Sequence, residues 1–362
     1  MGTLDSRNDT APPAPVRGGP PPRTWLLVGE KPGDNAQSRA LAEALGWPYE
    51  ERRLVVRPRW QQAKPPVRPS LAHLDLDRSD PLEPPWPDLV IAIGRRLSSP
   101  ALWIKARSGG RTRIVLLGKP RRLLRRFDLV VAASQYRLPE RGNVVRLDLP
   151  LLGADPGAIA EASERWRPRW RDWPRPLTGV LVGGPVRRLR LDAEVAGELV
   201  AGCRALLESD GGRLVVTTSR RTPAEVVEVL ARGLPEGAEL HRFGDPGAEN
   251  PYLGLLGLAD RLVVTSDSVS MMVEVARARK PLAIFPLPER HTLWSRIWPP
   301  SRDLAVIPQV LRSRGQASWL GEPFVDPAAA PPDETEAVAE RVRRLLADPG
   351  RGVAASVPGP GV

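Results

Sequence analysis

The run Asp88-Leu-Val-Ile-Ala-Ile93, apolar from its second residue to its end, constrains this chain more than any other stretch. A strand with no polar face must be covered on both sides, which in globular chains means a parallel sheet between layers of helices. Similar runs recur at Trp25 to Val28, Arg113 to Leu117, Asp128 to Val131 and Val144 to Leu147. A second series follows at Thr178 to Val182, Arg213 to Thr217, Arg261 to Thr265 and Pro281 to Phe285. Less apolar strands are expected at Tyr49 to Leu54 and near Leu240. Helical periodicity falls between them: Ala40, Leu41, Ala44 and Leu45 before Gly46, then about 98–107, 193–207, 223–232, 251–258 and 268–278, with a last amphipathic helix at 335–346.

The two series are separated by a basic, tryptophan-rich stretch over 155–177, read as a short helix plus an interdomain linker. For 362 residues, two domains are the expectation. The predicted organisation is a disordered Pro/Gly-rich tail over 1–23, an α/β domain over 24–155, a linker over 156–177, a second α/β domain over 178–350 and a disordered tail over 351–362. Residues 57–87, rich in proline and poor in periodicity, read as a long irregular excursion.

Composition excludes several function classes. One cysteine, Cys203, leaves no intramolecular disulfide and no cysteine-based zinc site, and reads as a small packed hydrophobe. His73, His241 and His291 fit no metal-ligand spacing, so neither a metal nor a resident cofactor is expected; His241 reads as a strand-end residue and His291 as a loop residue. No apolar run approaches the length of a membrane span, and the proline-rich start lacks the apolar core of a signal peptide, so a cytoplasmic protein is expected. The net charge of +11 comes from 48 arginines and 5 lysines against 42 acidic residues. Arginine forks onto phosphate, but codon bias toward arginine enriches it everywhere, so most of these side chains read as solvated surface.

In open parallel sheets, ligands bind beyond the carboxyl ends of strands, where loops pass into helix N-termini. Four such loops carry polar chemistry. The first, Gly29-Glu-Lys-Pro-Gly-Asp-Asn-Ala-Gln37, has neither the glycine spacing of a dinucleotide fingerprint nor the Gly-Lys-Ser/Thr of a P-loop. Its Glu30, Gly33, Asp34, Asn35 and Gln37 read either as cleft residues on the acceptor side or as a capped turn with Asp34 or Asn35 as N-cap. In the second, Gly94-Arg95-Arg96, the arginines can meet an anion or sit on the rim. The third, Thr217 to Pro223, places Ser219, Arg220 and Arg221 as a phosphate site, with Thr222 and Pro223 reading as N-cap and first helical residue. The fourth holds Ser266, Asp267, Ser268 and Ser270 at a helix start, where free N–H groups and the helix dipole favour a diphosphate. Glu274 follows about 10 Å along that helix at ~1.5 Å per residue. It suits the ribose hydroxyls of a nucleotide laid along the helix, and reads equally as a surface glutamate behind an ordinary cap. Gly184, in the Gly183-Gly184-Pro185 loop of the second series, joins the same set.

The run Glu249-Asn-Pro-Tyr-Leu-Gly-Leu-Leu-Gly-Leu-Ala-Asp-Arg-Leu-Val-Val-Thr-Ser-Asp-Ser-Val-Ser-Met-Met-Val-Glu274 resembles the mitochondrial-fission family named after a plant elongated-mitochondria protein. Its bacterial members are described as candidate glycosyltransferases. The blocks at Gly29 to Gln37, Leu41 to Gly46, Pro87 to Arg96 and Thr217 to Pro223 carry the same resemblance, which reaches from about residue 24 to 288. The excursion over 57–87 and the tail after Pro288 match less well. The resemblance implies a GT-B-like α/β fold, two Rossmann-like domains with parallel sheets facing a cleft, whose C-terminal half holds a sugar nucleotide. It implies Ser266, Ser268 and Glu274 as nucleotide contacts, with Arg220 and Arg221 beside them.

The chemistry implied is transfer of a sugar from a nucleotide-diphosphate sugar to an acceptor, envelope or lipid-linked. The helix start at Ser266 to Ser270 and Arg220 or Arg221 would stabilise the leaving diphosphate. An inverting enzyme also needs a base, for which Asp34 is the first candidate and Glu30 the second. The alternative is a non-catalytic body of the same fold, peripheral on the inner face of an anionic membrane, using Trp166, Trp170, Trp173, Trp294 and Trp298 beside arginine. Specific nucleic-acid binding has only the charge in its favour and no recognition motif.

Overall fold

The computed structural model describes residues 20–347 except 63–64, 121–122, 154, 187, 248 and 291–301, together with the backbone but not the side chains of residues 32, 61 and 62. The expected tails before residue 20 and over 351–362, and His291, Trp294 and Trp298, lie outside the described residues. The chain divides into two α/β units, each with one six-stranded sheet.

In the first unit the strands are β1 (Thr24–Val28), β2 (Tyr49–Arg53), β5 (Leu89–Ile93), β6 (Arg113–Leu117), β7 (Leu129–Ala133) and β8 (Val144–Leu147). Their order is β2-β1-β5-β6-β7-β8, and the pairings from β2 to β7 are parallel. Every residue of β1, β5 and β7 is buried, as two-sided apolar strands require. The edge strand β2, Tyr-Glu-Glu-Arg-Arg, is polar instead, and its Glu51 holds Arg39 of helix α1 (Pro32–Leu45) at 2.6 Å. Charge along an edge blocks pairing with another chain.

The described part of the proline-rich excursion carries secondary structure. β3 (Val55–Val56), just before it, pairs antiparallel with β4 (Leu74–Asp75) inside it, and the short α2 (Pro58–Gln62) lies between them. Arg57 Nε donates to the Leu74 carbonyl at 2.8 Å. Ser99 of helix α3 (Gly94–Arg107) donates its hydroxyl to the Pro66 carbonyl at 3.0 Å. Side chains rather than periodicity hold this segment, so hydrophobic patterning does not reveal it.

In the second unit the strands are β9 (Leu177–Val182), β10 (Arg213–Thr218), β11 (Ala238–His241), β12 (Arg261–Thr265), β13 (Leu282–Phe285) and β14 (Ser318–Trp319). The sheet runs β11-β10-β9-β12-β13-β14, all parallel, which is the Rossmann order. The connecting helices are α5 (Ala193–Asp210), α6 (Ala224–Gly233), α7 (Tyr252–Leu258), α8 (Val269–Arg277) and α9 (Val306–Ser313). Cys203 of α5 is packed in the core with Val180, Leu199 and Val226, and burial pushes its thiol up to about 12. Both α9 and the two-residue β14 go unread in the sequence, being too short for a period to show.

Two boundaries differ from the sequence reading. The segment read as a short helix plus a linker is mostly a 15-residue helix, α4 (Pro156–Trp170), capped by Asp155, whose carboxylate accepts from Gly157 N at 2.8 Å. It packs on α7 as part of the second unit. Trp166 and Trp170 are 8 % and 0 % exposed and stack at 4.7 Å between centroids, so they are core residues and not a membrane-facing pair. Trp173, half-buried, lies under the Arg213 guanidinium at 4.9 Å. The last helix, α10 (Thr335–Ala347), groups with the first unit, packed on α1 with Arg343 donating to the Ala44 carbonyl at 2.6 Å. Its apolar stripe (Val338, Ala339, Val342) announces a buried face but not which unit covers it.

Close approach of α4 and α7 depends on glycine. A Cβ at Gly254 would lie 2.6 Å from the Trp166 ring. The substitution Gly254→Val is expected to destabilise the protein by about 1–3 kcal/mol through overpacking. Gly197→Ala, on the exposed face of α5 with open space at its Cβ, is expected to stabilise by about 0.5–1 kcal/mol. Urea unfolding of the two variants checks both signs.

Candidate functional site

Strand order reverses between β9 and β12: β9 leads to β10 and β11 on one side, β12 to β13 and β14 on the other. Beyond the carboxyl ends of such a pair the loops diverge and leave room for a ligand. Three loops of the second unit meet there, and one carboxylate joins them. Asp267, with a side chain 0 % exposed, accepts from Gly184 N at 2.9 Å, Arg221 Nη2 at 2.8 Å and the Thr265 hydroxyl at 2.7 Å. Thr265 Oγ1 in turn accepts from Gly183 N at 2.8 Å. The Thr222 hydroxyl donates to the Gly183 carbonyl at 2.5 Å and accepts from Ser219 N at 2.9 Å. Burial pushes the Asp267 carboxyl above its ordinary range, against the pull of Arg221, the Gly184 N–H and Thr265.

This arrangement explains the Gly183-Gly184 pair. A Cβ at Gly183 would stand 2.3 Å from an Asp267 oxygen, and one at Gly184 2.2 Å from the Arg221 carbonyl. It also reassigns residues read as ligand contacts. The Asp267 carboxylate points inward and ties loops together. Arg221, though exposed like Arg220, is bound to Asp267 and reaches the Gly184 carbonyl at 3.3 Å. Thr222 does not cap the next helix; Pro223 occupies the N-cap position and α6 starts at Ala224, because the Thr222 hydroxyl turns toward Gly183.

The start of α8 is less engaged. Ser266 accepts from Leu287 N at 2.9 Å through its hydroxyl. Ser268 is the N-cap, makes no side-chain cap hydrogen bond, and accepts from Met272 N through its carbonyl. The N–H groups of Val269, Ser270 and Met271 therefore have no acceptor inside the helix. Two turns on, Glu274 is half-buried and accepts from the Tyr252 hydroxyl at the head of α7. Burial pushes the Glu274 carboxyl up, with the Tyr252 bond pulling it down. Glu274 is thus a held carboxylate rather than a loose surface glutamate. Beside β10, Phe243 is 53 % exposed and its backbone N–H is fixed on Thr218 Oγ1 at 2.9 Å. Gly183, Thr265, Tyr252 and Phe243 escape sequence reading; the exposed aromatic after β11 was the one available signal.

In the first unit, the loop after β1 and the start of α3 after β5 occupy the corresponding reversal. Glu30 is exposed, and Asp34 lies in the first turn of α1, 3.9 Å from Lys31. Lys31 is the N-cap with Pro32 following, so neither Asp34 nor Asn35 caps the helix. Asn35 instead clasps Gly29, accepting from its N–H at 3.0 Å and donating to its carbonyl at 2.8 Å. Gln37 donates to the Gly33 carbonyl at 3.3 Å. Helix α3 begins at Gly94 (φ +70°), earlier than its periodicity indicates, so Arg95 and Arg96 stand in its first turn. His73, buried, contacts the Arg96 carbonyl through Nε2 at 2.7 Å, and desolvation lowers its pKa.

Among the described residues no three His, Cys, Asp or Glu side chains converge as a metal cage, and no helix is long and apolar enough to cross a membrane. Residues 32–346 match the family model described as mitochondrial fission ELM1. The chain belongs to the mitochondrial fission ELM1 family. It is 29% identical over 287 residues to mitochondrial fission protein ELM1 of Arabidopsis thaliana, covering 72% of this chain and 64% of that protein. The chain thus spans just under two thirds of the plant relative's length. It is 22% identical over 316 residues to the uncharacterized protein RP120 of Rickettsia prowazekii, covering 76% and 86% of the two chains. Among solved structures, UDP-GlcNAc 2-epimerase from Methanocaldococcus jannaschii is similar at a TM-score of 0.49 and 10% identity, over 89% of this chain and 99% of that one. A glycosyltransferase from Rickettsia africae is similar at 0.46 and 11%, over 91% and 89%. The α/β assignment of this ELM1-family chain rests on its own strand orders.

Burial of Glu274 predicts a pH effect. Its folded-state carboxyl lies above the ordinary 4.5, so the folded chain holds this proton more tightly than the unfolded one. That contribution is complete below the unfolded value and is lost as pH rises through the folded one. Glu274→Gln removes the titration, so the stability of the variant relative to the parent is expected to improve from about pH 4 to about pH 7, measured by urea unfolding at both.

Proposed function

We propose that this chain transfers a sugar from a nucleotide-diphosphate sugar to an acceptor hydroxyl, with the second unit as the donor-binding half of a GT-B-like enzyme. One observation carries the reading: the buried Asp267 knot holds Gly183, Gly184 and the open first turn of α8 together at the strand reversal, with Glu274 two turns along the helix. Helix N–H groups without helical acceptors bind a diphosphate without further charge. Glu274 accepts from ribose hydroxyls, and Phe243 offers a flat apolar face for a base.

In the reaction the acceptor oxygen forms a bond to the anomeric carbon while the bond to the diphosphate breaks and its electron pair leaves on the diphosphate. Charge grows on that leaving group, and the α8 N–H groups, Ser268, Ser270 and Arg220 stabilise it as it grows. A carboxylate of the first unit takes the proton of the acceptor hydroxyl. Asp34, in the first turn of α1 and 3.9 Å from Lys31, is the first choice, and Glu30 the second. Arg95 and Arg96 at the start of α3 suit an acceptor bearing an anionic group, such as a lipid-linked phosphate at an anionic membrane face.

Calorimetry of the purified chain against a panel of nucleotide sugars is expected to show binding to at least one; heat from none of them sinks the reading. Arg220→Ala is expected to weaken that binding about tenfold, as loss of a charge-assisted hydrogen bond does. Asp34→Asn is expected to leave donor affinity unchanged and lower kcat by about 10²–10⁴, the usual worth of a general base. Release of nucleoside diphosphate in the presence of acceptor extracts measures it.

A further inference from the structure

We propose that Tyr252 is the positioning residue of the nucleotide site, holding the Glu274 carboxylate so that its second oxygen accepts a ribose hydroxyl. This deepens the sugar-nucleotide reading and rests on it. The Tyr252 hydroxyl donates to Glu274 Oε2 from 22 residues away, across two helices. A carboxylate offers about four lone-pair sites. Fixing one oxygen leaves the other available while removing the rotamer freedom that a ligand would otherwise have to freeze.

The platform under the tyrosine is rigid. Helix α7 is pinned on one side by α4, where Gly254 meets the Trp166 ring and Gly257 meets Ser163. Its carboxyl end is closed by Lys280, whose Nζ donates to the Gly257 carbonyl at 2.9 Å and the Ala259 carbonyl at 2.8 Å. A tyrosine at the head of such a helix has a fixed hydroxyl position, whereas packing alone would need no more than a phenylalanine.

The hydroxyl also bears on the charge of its partner. Burial favours the neutral carboxylic acid at Glu274, and the Tyr252 bond favours the carboxylate. The other charged groups on packed elements are engaged elsewhere. Arg277 on α8 holds Asp333 at 3.2 Å, Arg312 on α9 holds Glu322 at 3.1 Å, and Arg165 on α4 holds Glu161 and Glu249 at 2.5 Å and 2.8 Å. Only a carboxylate is purely an acceptor, so losing the tyrosine hydroxyl moves the loss of ribose affinity to higher pH.

The experiment is calorimetry of the full chain with UDP, GDP, ADP and CDP, the 2′,3′-dideoxy form of whichever binds, and inorganic pyrophosphate. Tyr252→Phe is expected to weaken the ribonucleoside diphosphate about tenfold and to leave the dideoxy form and pyrophosphate unchanged. The double variant Tyr252→Phe, Glu274→Gln is expected to bind no worse than Glu274→Gln alone. The affinity–pH profile of Tyr252→Phe is expected to fall off at higher pH than the parent's. Parental affinity in Tyr252→Phe overturns the inference and leaves the nucleotide reading standing. Equal weakening toward all three ligands overturns it as well, since that is the mark of a structural role. Binding of none of the four diphosphates by the parent overturns both.

Discussion

The second unit is organised around a buried negative charge. A carboxylate withdrawn from water is tolerated only when its oxygens are fully hydrogen-bonded and a cation stands beside it. Asp267 meets both conditions, taking a backbone N–H from the β9 loop, a hydroxyl from the end of its own strand and a guanidinium from the β10 loop. Three loops that would otherwise move independently become one surface. The requirement propagates outward: the loops that meet at Asp267 leave no room for a Cβ at Gly183 or Gly184, the Gly183 carbonyl takes the Thr222 hydroxyl, and that occupies the hydroxyl expected to cap α6.

The ligand-binding elements are what this knot leaves over. With Asp267 turned inward, the first turn of α8 keeps N–H groups without helical acceptors, and Arg220 projects while Arg221 is held. The same division of labour appears around Glu274, where Tyr252 holds one oxygen. In the first unit Asn35, a short polar side chain, clasps Gly29 and satisfies the backbone of its loop, while its neighbour in sequence, Asp34, stays accessible, as does Glu30. Many of the arginines, by contrast, are matched locally: Arg165, Arg190, Arg232 and Arg344 each pair with a glutamate four positions away on or beside a helix. Exposed pairs of that kind contribute little to stability and keep the excess charge dispersed.

The legible parts of the fold share one property. Strands such as Leu89–Ile93 and Leu262 to Thr265 are apolar on both faces, and that pattern has a single stable setting, a covered parallel sheet. Helix α5 was legible for the related reason that its apolar period runs over several turns, and the structure adds Asp192 as its cap. What escaped reading lacks periodicity or gets its order from afar. The β3–β4 pair is held by Arg57 and its partners, β14 has two residues, and α4 hides its tryptophans in a stretch whose arginines and prolines suggest a linker. At the site, the position of Ser266 to Ser270 at a strand-to-helix passage was readable, whereas the direction of each side chain was not.

Local sequence by itself determined that this chain forms two sets of parallel strands, roughly where the apolar ones end, and which polar residues follow those ends. These are short-range matters of period, turn chemistry and burial. Tertiary structure alone decided that Asp267 faces inward, that Glu274 has Tyr252 as its partner, and that the last helix lies on the first unit rather than the second. The physical reason is the same for all three. A buried carboxylate or an apolar stripe specifies that it must be satisfied, and partners 46, 22 or some 300 residues away in the chain satisfy it only once the fold has brought them within hydrogen-bond reach.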